Sequence, residues 1–348
     1  MMCILTMIIL TILAFFIGLI VFVICGKETD VYDSISKLAW YKLIIKLVYK
    51  LVKCRKQGNL YLDKSLVYIA DTNTNFTLAL SVRNHKVTVN GLRIDKDHLA
   101  KYKALCRYNP NDGEVPLCYA ETLFMKPLIA LITSSKFALS PIGLIHIRQN
   151  IKQWIPLQEY MKAKFTLELS VKQYRQNERG IEVDINLRTM VGSTCVWEGT
   201  MTLLSRAKQG KSRGRPERRN HDKEIIYRFD DDFEVPASCG VDYAKLTGDW
   251  NPHHLYRWSA WLLGYQKPIA HGMWTLSRAI AKLQERFEIT LDGRYEVSCA
   301  FKRPLFMPGS AVMKFDDGSM ISEYSDCNVL VEEKGTSIPH LTATIKSL

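Results

Sequence analysis

Asp249 and His254 stand five residues apart in Tyr243-Ala244-Lys245-Leu246-Thr247-Gly248-Asp249-Trp250-Asn251-Pro252-His253-His254. A carboxylate and an imidazole are the side chains most often used to move protons. Pro252 removes a backbone donor and biases Asn251 towards extended geometry, while Gly248 permits a conformation that a side chain would penalise. The segment is therefore a shaped turn, able to aim both groups at one point. About fourteen residues later, an ordinary loop-plus-short-helix distance, comes Pro268-Ile269-Ala270-His271-Gly272-Met273, followed by a helical pattern. A helix start offers free N–H groups and the positive end of a dipole. Carboxylate, imidazole and an oxyanion-type donor together make a proton-transfer site for a carbonyl compound.

These residues resemble the MaoC-like, or type-2 (R)-specific, enoyl-thioester hydratases and dehydratases. That family carries Asp-x-Asn-Pro-x-His and then a Pro-Ile-x-His-Gly-Met segment opening the central helix of a hot-dog fold; both occur here, in order. A third match is Phe301-Lys302-Arg303-Pro304-Leu305-Phe306-Met307-Pro308-Gly309. The resemblance is strong over residues 225–348 and fainter before them. It implies Asp249 and His254 as the catalytic pair, with Gly272 supplying an oxyanion donor and Asn251 a positioning group. Trp250, His253, His271 and Met273 are candidates for the substrate pocket. His253 departs from the family, which usually has an aliphatic residue there. The implied reaction is reversible hydration of a 2-enoyl thioester carried on coenzyme A or acyl carrier protein, in fatty-acyl metabolism. The rival reading is an inactive, membrane-tethered thioester-binding or scaffold protein. A retained acid–base pair argues against it, since a binder needs none.

Zinc on Asp249, His253, His254 and His271 is the competing chemistry. Adjacent histidines tend to point apart, and turn geometry explains the Asn-Pro better, so no metal is expected. No Gly-x-Gly-x-x-Gly, no phosphate-cradling Gly-rich Lys-Ser/Thr loop and no Gly-x-Ser-x-Gly occurs, so no resident cofactor is implied. His85, His98 and His146 have no acid–base partner in sequence and read as structural or pocket-lining.

The second half must supply the scaffold for this turn. Residues 271–287 read as a long helix, with Met273, Leu276, Ile280, Leu283 and Phe287 on one stripe. Strands follow at 295–302, 311–315, 328–332 and 341–345, after a short one at 225–229. In the first half, residues 119–133 read as a helix carrying Pro127, and 67–70, 77–82, 164–173, 180–189 and 194–205 as strands. Phe165, Leu167, Leu169 and Val171 alternate with polar residues, as on a half-buried strand. A long helix followed by antiparallel strands, twice over, gives an α+β double hot dog: two antiparallel sheets, each wrapping a long helix. The expected limits are 59–206 for a non-catalytic half and 225–348 for a MaoC-like catalytic half. A polar run rich in Lys and Arg, at 207–224, links them.

The 348 residues exceed a usual single domain, and a 47% hydrophobic fraction is enough for real cores. Residues 4–25 contain no charge, long enough at about 22 residues to cross a bilayer. Neither a basic n-region nor an Ala-x-Ala-like site marks a cleaved signal, so residues 1–26 are expected to remain as a transmembrane anchor. Residues 27–58 follow as a basic amphipathic segment at the membrane surface, with lysines recurring among Trp40, Ile44, Val48 and Val52. Lysines follow the apolar run and none precedes it, which places the body on the cytoplasmic side. The net charge of +12 fits an anionic partner, a lipid surface or a phosphate-bearing substrate. No nucleic-acid motif adjoins the basic run, so no specific nucleic acid is expected. A homodimer is open. The nine cysteines are unpatterned, which argues against a disulfide framework and against a zinc ribbon.

Overall fold

The computed structural model describes residues 30–54, 68–70, 78–81, 85–141, 143–207, 225–316 and 326–348, with Gly18 and Val23 before them. Apart from those two positions the expected span at 4–25 lies outside the described residues, as does nearly all of the expected linker. Among the described residues no helix is long and apolar enough to cross a membrane.

The first half runs β1 (Val31–Tyr32), α1 (Trp40–Lys53), β2 (Tyr68–Ala70), β3 (Leu78–Ser81), β4 (Lys86–Leu92), α2 (Lys96–Cys106), α3 (Tyr119–Thr122), α4 (Met125–Thr133), β5 (Leu144–Gln153), β6 (Phe165–Asn177), β7 (Gly180–Val191) and β8 (Thr194–Arg206). The second runs β9 (Phe229–Val235), α5 (Cys239–Thr247), α6 (Arg257–Leu262), α7 (Gly272–Phe287), β10 (Tyr295–Phe301), β11 (Gly309–Phe315), β12 (Cys327–Glu333) and β13 (Pro339–Ser347). The main strand order is β1-β4-β6-β7-β8-β5-β10-β13-β12-β11-β9, with β2 and β3 attached to β6. From β4 to β9 this order is a palindrome about the β5–β10 contact. Each half has one strand, then helices, then four strands in the same arrangement. The halves are thus an internal repeat related by a pseudo-twofold axis.

Three expectations need correction. The two sheets are one continuous sheet, because β10 pairs antiparallel with β5 from Tyr295–Gln153 to Ala300–Arg148. Joining there leaves neither half with an exposed inner edge. The helix expected at 119–133 is broken into α3 and α4, so the first half has no long central helix. Pro127 therefore falls in the first turn of α4, where a missing N–H breaks no helical bond. Finally, residues 30–54 belong to the first half. β1 pairs parallel with β4, Leu38 and Leu43 enter the core, and the Lys50 ammonium donates to the carbonyls of Ser134 and Phe137. An amphipathic helix whose lysine can cap another helix end gains more by docking than by standing free.

Periodicity places the rest. On β6, Phe165, Leu167, Leu169 and Val171 are all buried and alternate with half-buried residues. On α7, Met273, Leu276, Ile280 and Leu283 are buried on the stripe facing the sheet, each worth about 1.5–3 kcal/mol. The strand expected at 225–229 is β9 at Phe229–Val235, which takes in Asp230-Asp231-Asp232, with exposed Asp232 bonded by Lys334.

Candidate active site

α5 ends where Gly248 adopts φ 83° and closes the helix with its N–H on the Ala244 carbonyl. A side chain there would also meet the Trp40 ring, 2.7 Å from an ideal Cβ. Glycine is thus needed twice over, and α1 of the first half seats the candidate catalytic turn. The Leu246 carbonyl, two residues earlier, accepts from His98 Nε2 at 2.9 Å. His98 Nδ1 must then accept from the Tyr119 hydroxyl at 3.0 Å. His98, without a partner in sequence, is a bolt between the halves.

After Gly248 the chain bends through Asp249 into one turn of 3-10 helix, Pro252–His254. The Asn251 backbone N–H donates to Asp249 Oδ1 at 3.2 Å, so it is the main chain of Asn251 that orients the carboxylate. His254 Nδ1 lies 2.7 Å from the Ile269 carbonyl. A carbonyl only accepts, so Nδ1 carries the proton and Nε2 keeps its lone pair. Burial, with His271 adding to it, pushes the His254 pKa down to about 3. The ring is a neutral base at physiological pH.

His271 is the helix-capping residue just before Gly272. Its Nε2–H donates to the Asp249 carbonyl at 3.1 Å, and its ring stacks on His254 with centroids 3.7 Å apart. It therefore holds the two candidate catalytic residues in one register. A carboxylate oxygen of Asp249 and one nitrogen each of His254 and His271 lie within 4.8 Å of one another. That is roughly the separation a single water spans with two hydrogen bonds. The same three residues are a conceivable metal donor set, with Nδ1 of His254 and Nε2 of His271 held by carbonyls and the other ring nitrogen of each carrying the lone pair. His253, adjacent in sequence, does not point away: its ring meets His254 at 4.0 Å and packs near Tyr265. Burial pushes the pKa of His253 and of His271 down to about 3.

Gly272 opens α7 with Phe301 of β10 against it; an added Cβ would lie 2.8 Å from that ring. Its N–H, first in the helix, has no intrahelical acceptor. Phe301 in turn meets His146 of β5 edge-on at 4.9 Å. Burial pushes His146 down to about 4. The first half thus reaches the helix start through His146. Met273 is buried in the core. Trp250, a substrate-pocket candidate, is 48% exposed and lies at the surface of the turn. On a tight turn that directs Asp249 inwards, the next side chain faces out.

Two residues of this neighbourhood escaped the sequence reading. Gly240 on α5 lies so close to the turn that a Cβ would fall 1.9 Å from the His254 carbonyl. No local signal marks it, because the contact is tertiary. Glu121 on α3 is buried, and its pKa is pushed up to about 8 by that burial and then by the charge of Asp249. The signal for Glu121 is the internal repeat. Pro116-Leu117-Cys118-Tyr119-Ala120-Glu121 in the first half parallels Pro268-Ile269-Ala270-His271-Gly272-Met273 in the second.

The MaoC like domain profile matches residues 227–327, which contain β9, the turn, α7, β10 and β11. Residues 227–327 are thus similar to the MaoC like domain. The chain is 28% identical over 267 residues to 3-hydroxyacyl-thioester dehydratase X of Mycobacterium tuberculosis, covering 76% of this chain and 90% of that protein. The crystal structure of HtdX from M. tuberculosis superposes with a TM-score of 0.62 at 25% identity, over 76% of this chain and all of that one. A MaoC-like dehydratase from Phytophthora capsici superposes at 0.57 with 16% identity, over 76% of this chain and 95% of that one, which speaks for the fold alone. These superpositions extend well beyond the MaoC-like domain, so the hot-dog architecture of both halves is shared.

Proposed function

We propose that this protein is a hydro-lyase that interconverts 2-enoyl thioesters and (R)-3-hydroxyacyl thioesters in fatty-acyl metabolism. The observation that carries the reading is the placing of Asp249 and a neutral His254 within one water's span. Gly272 opens the helix beside them.

In hydration, the Asp249 carboxylate and His254 Nε2 hold one water. Its oxygen bonds to the β carbon as its proton passes to the pair. The π electrons move towards the thioester oxygen, where the N–H of Gly272 and the α7 dipole stabilise the charge. The pair then delivers a proton to the α carbon, and the acid–base state is restored. Dehydration runs the same steps in reverse. His271 keeps the pair aligned through the Asp249 carbonyl, and His253 packs against the outer edge of His254. The substrate is an acyl thioester of coenzyme A or acyl carrier protein, and the chemistry asks for no resident cofactor.

We also propose that residues 4–25 anchor the chain, with the body on the cytoplasmic side. The uncharged run and the one-sided lysines support this. Deletion of residues 1–26 should release much of the protein from membranes. A full-length protein that fractionates as freely soluble would contradict the anchor. The reaction itself is tested by assaying purified protein on 2-enoyl-CoAs of graded chain length. Formation of the 3-hydroxyacyl thioester is expected, and a protein that binds the series without turning any member over would favour the scaffold reading.

A further inference from the structure

Helix α1 is oriented against the usual rule for a surface helix. Tyr41, Ile44, Val48 and Val52, at intervals that form one stripe, are 51%, 54%, 53% and 56% exposed. Meanwhile Lys50 is turned inwards onto the Ser134 and Phe137 carbonyls. Lys42 and Lys53 flank the stripe, their ammonium groups over the rings of Tyr41 and Tyr49 at 5.9 and 6.0 Å. A second apolar face lies on α6. Trp258, Trp261 and Leu262 are 67%, 71% and 67% exposed, while Ser259 and Ala260 between them are buried. Tyr256 stacks over Trp258 at 6.4 Å. Single exposed apolar residues need no explanation, but two clustered faces do.

Both faces adjoin the candidate active site. Trp40, the first residue of α1, packs on Gly248 beside Asp249. α6 follows His254 directly, and Ser259 Oγ donates to the Pro252 carbonyl at 2.7 Å, tying the helix to the turn. We propose that these two faces seat the protein on an anionic phospholipid bilayer, so that acyl chains enter the site from the membrane. Three observations select this occupant. Lysines border the α1 stripe, Arg257 and the exposed Lys267 border α6, and the chain carries a net +12, all complementary to anionic headgroups. Tryptophan and tyrosine are the side chains that suit the boundary between water and hydrocarbon. The sequence ahead of α1 holds the uncharged residues 4–25, which would keep a bilayer close at hand. A second copy of the chain would instead bring like charges together. The proposal rests on the acyl-thioester reading for its substrate, but lipid contact does not depend on turnover.

The test uses full-length protein in phosphatidylcholine–phosphatidylglycerol vesicles, with and without brominated acyl chains. No tryptophan precedes Trp40, so quenching of tryptophan emission by the brominated lipid reports on the body and not on residues 4–25. Wild type should be quenched. A variant with Trp258→Ser, Trp261→Ser and Leu262→Ser should lose most of that quenching. This variant, and one with Ile44→Ser, Val48→Ser and Val52→Ser, should keep wild-type hydration of but-2-enoyl-CoA in solution, which also shows that they fold. Both should hydrate vesicle-held hexadec-2-enoyl-CoA several-fold more slowly than wild type. Unquenched wild type, or an α6 variant quenched as strongly as wild type, would overturn the proposal. So would sedimentation showing that the substitutions split a dimer while leaving lipid contact unchanged. Failure of wild type to hydrate but-2-enoyl-CoA would count against the enzymatic reading and leave the quenching result to stand alone.

Discussion

The two halves share one arrangement of strands and helices and differ at the same turn. After α2 the first half reads Arg107-Tyr108-Asn109-Pro110-Asn111-Asp112; after α5 the second reads Asp249-Trp250-Asn251-Pro252-His253-His254. The Asn-Pro bend is common to both. On that bend Arg107 stands in place of Asp249, and Asp112 in place of His254. Asp112 is used structurally: its carboxylate pairs with the buried Lys103 ammonium and accepts the Glu114 N–H. The helix starts differ likewise, with Tyr119-Ala120-Glu121 against His271-Gly272-Met273. One bend on one fold therefore carries either an ion-pair anchor or the proposed proton-transfer pair, according to two or three side chains. The first half is not idle for lacking them. Its Trp40, His98 and His146 pack against or bond the elements that hold Asp249 and Gly272.

The sharpest way to break this comparison is to remove the pair. Asp249→Asn and His254→Ala should each lower hydration by about 10²–10⁴-fold with acyl-CoA affinity kept. The double variant should be little slower than either single, because the two act as a unit. Additive losses in steady-state rates would show that they act separately.

Gly240→Ala tests whether the second-half turn must be held where it is. The added methyl has no room beside the His254 carbonyl, so the turn must shift. A displacement of that size costs about 10² in rate. Unchanged kinetics would mean that α5 gives way instead.

Asp112→Asn is the first-half counterpart. It leaves Lys103 buried without its ion pair and should lower stability by about 1–3 kcal/mol in urea unfolding. The rate per folded molecule should be untouched. A lost rate with stability intact would make the first-half turn catalytic too.

Titration probes the groups around the turn more gently. His146, His253, His254 and His271 have pKa values near 4, 3, 3 and 3, below the ordinary 6.5. The unfolded chain binds those protons more readily, so their contribution to stability is complete above about pH 6.5 and is lost as pH falls towards 3–4. Glu121 has the opposite sign. Its pKa is raised from 4.5 to about 8, so its burial begins to destabilise as pH rises past 4.5. Glu121→Gln should therefore raise stability by roughly 1–3 kcal/mol at pH 8 and change little at pH 4.5. Thermal melts across this range check both, and a melt of the Gln variant that follows wild type at pH 8 would show Glu121 paired or hydrated.

The second half was legible because its chemistry is local. Asp249, Pro252, His254 and Gly272 lie in two short segments whose spacing carries the meaning, and the stripe of α7 repeats every turn. What stayed hidden is tertiary. Gly240 matters only because α5 approaches the turn, and His98 only because Leu246 offers it a carbonyl. The continuous sheet follows from a strand pairing between residues about 150 positions apart, which no window of sequence reveals. The break between α3 and α4 fell where Pro127 permits a helix to begin, not where it would kink one. The outward face of α1 is the subtlest case. Its periodicity was plain, but which side faced the body depended on where Lys50 could reach.

The claim that catalysis belongs to the second half is tested most directly by one paired measurement: initial hydration rates of His254→Ala and Asp112→Asn on the same 2-enoyl-CoA, per folded molecule. The account predicts a loss of at least about 10²-fold in the first and a wild-type rate in the second. Equal rates in the two variants, whether both retained or both lost, would contradict it.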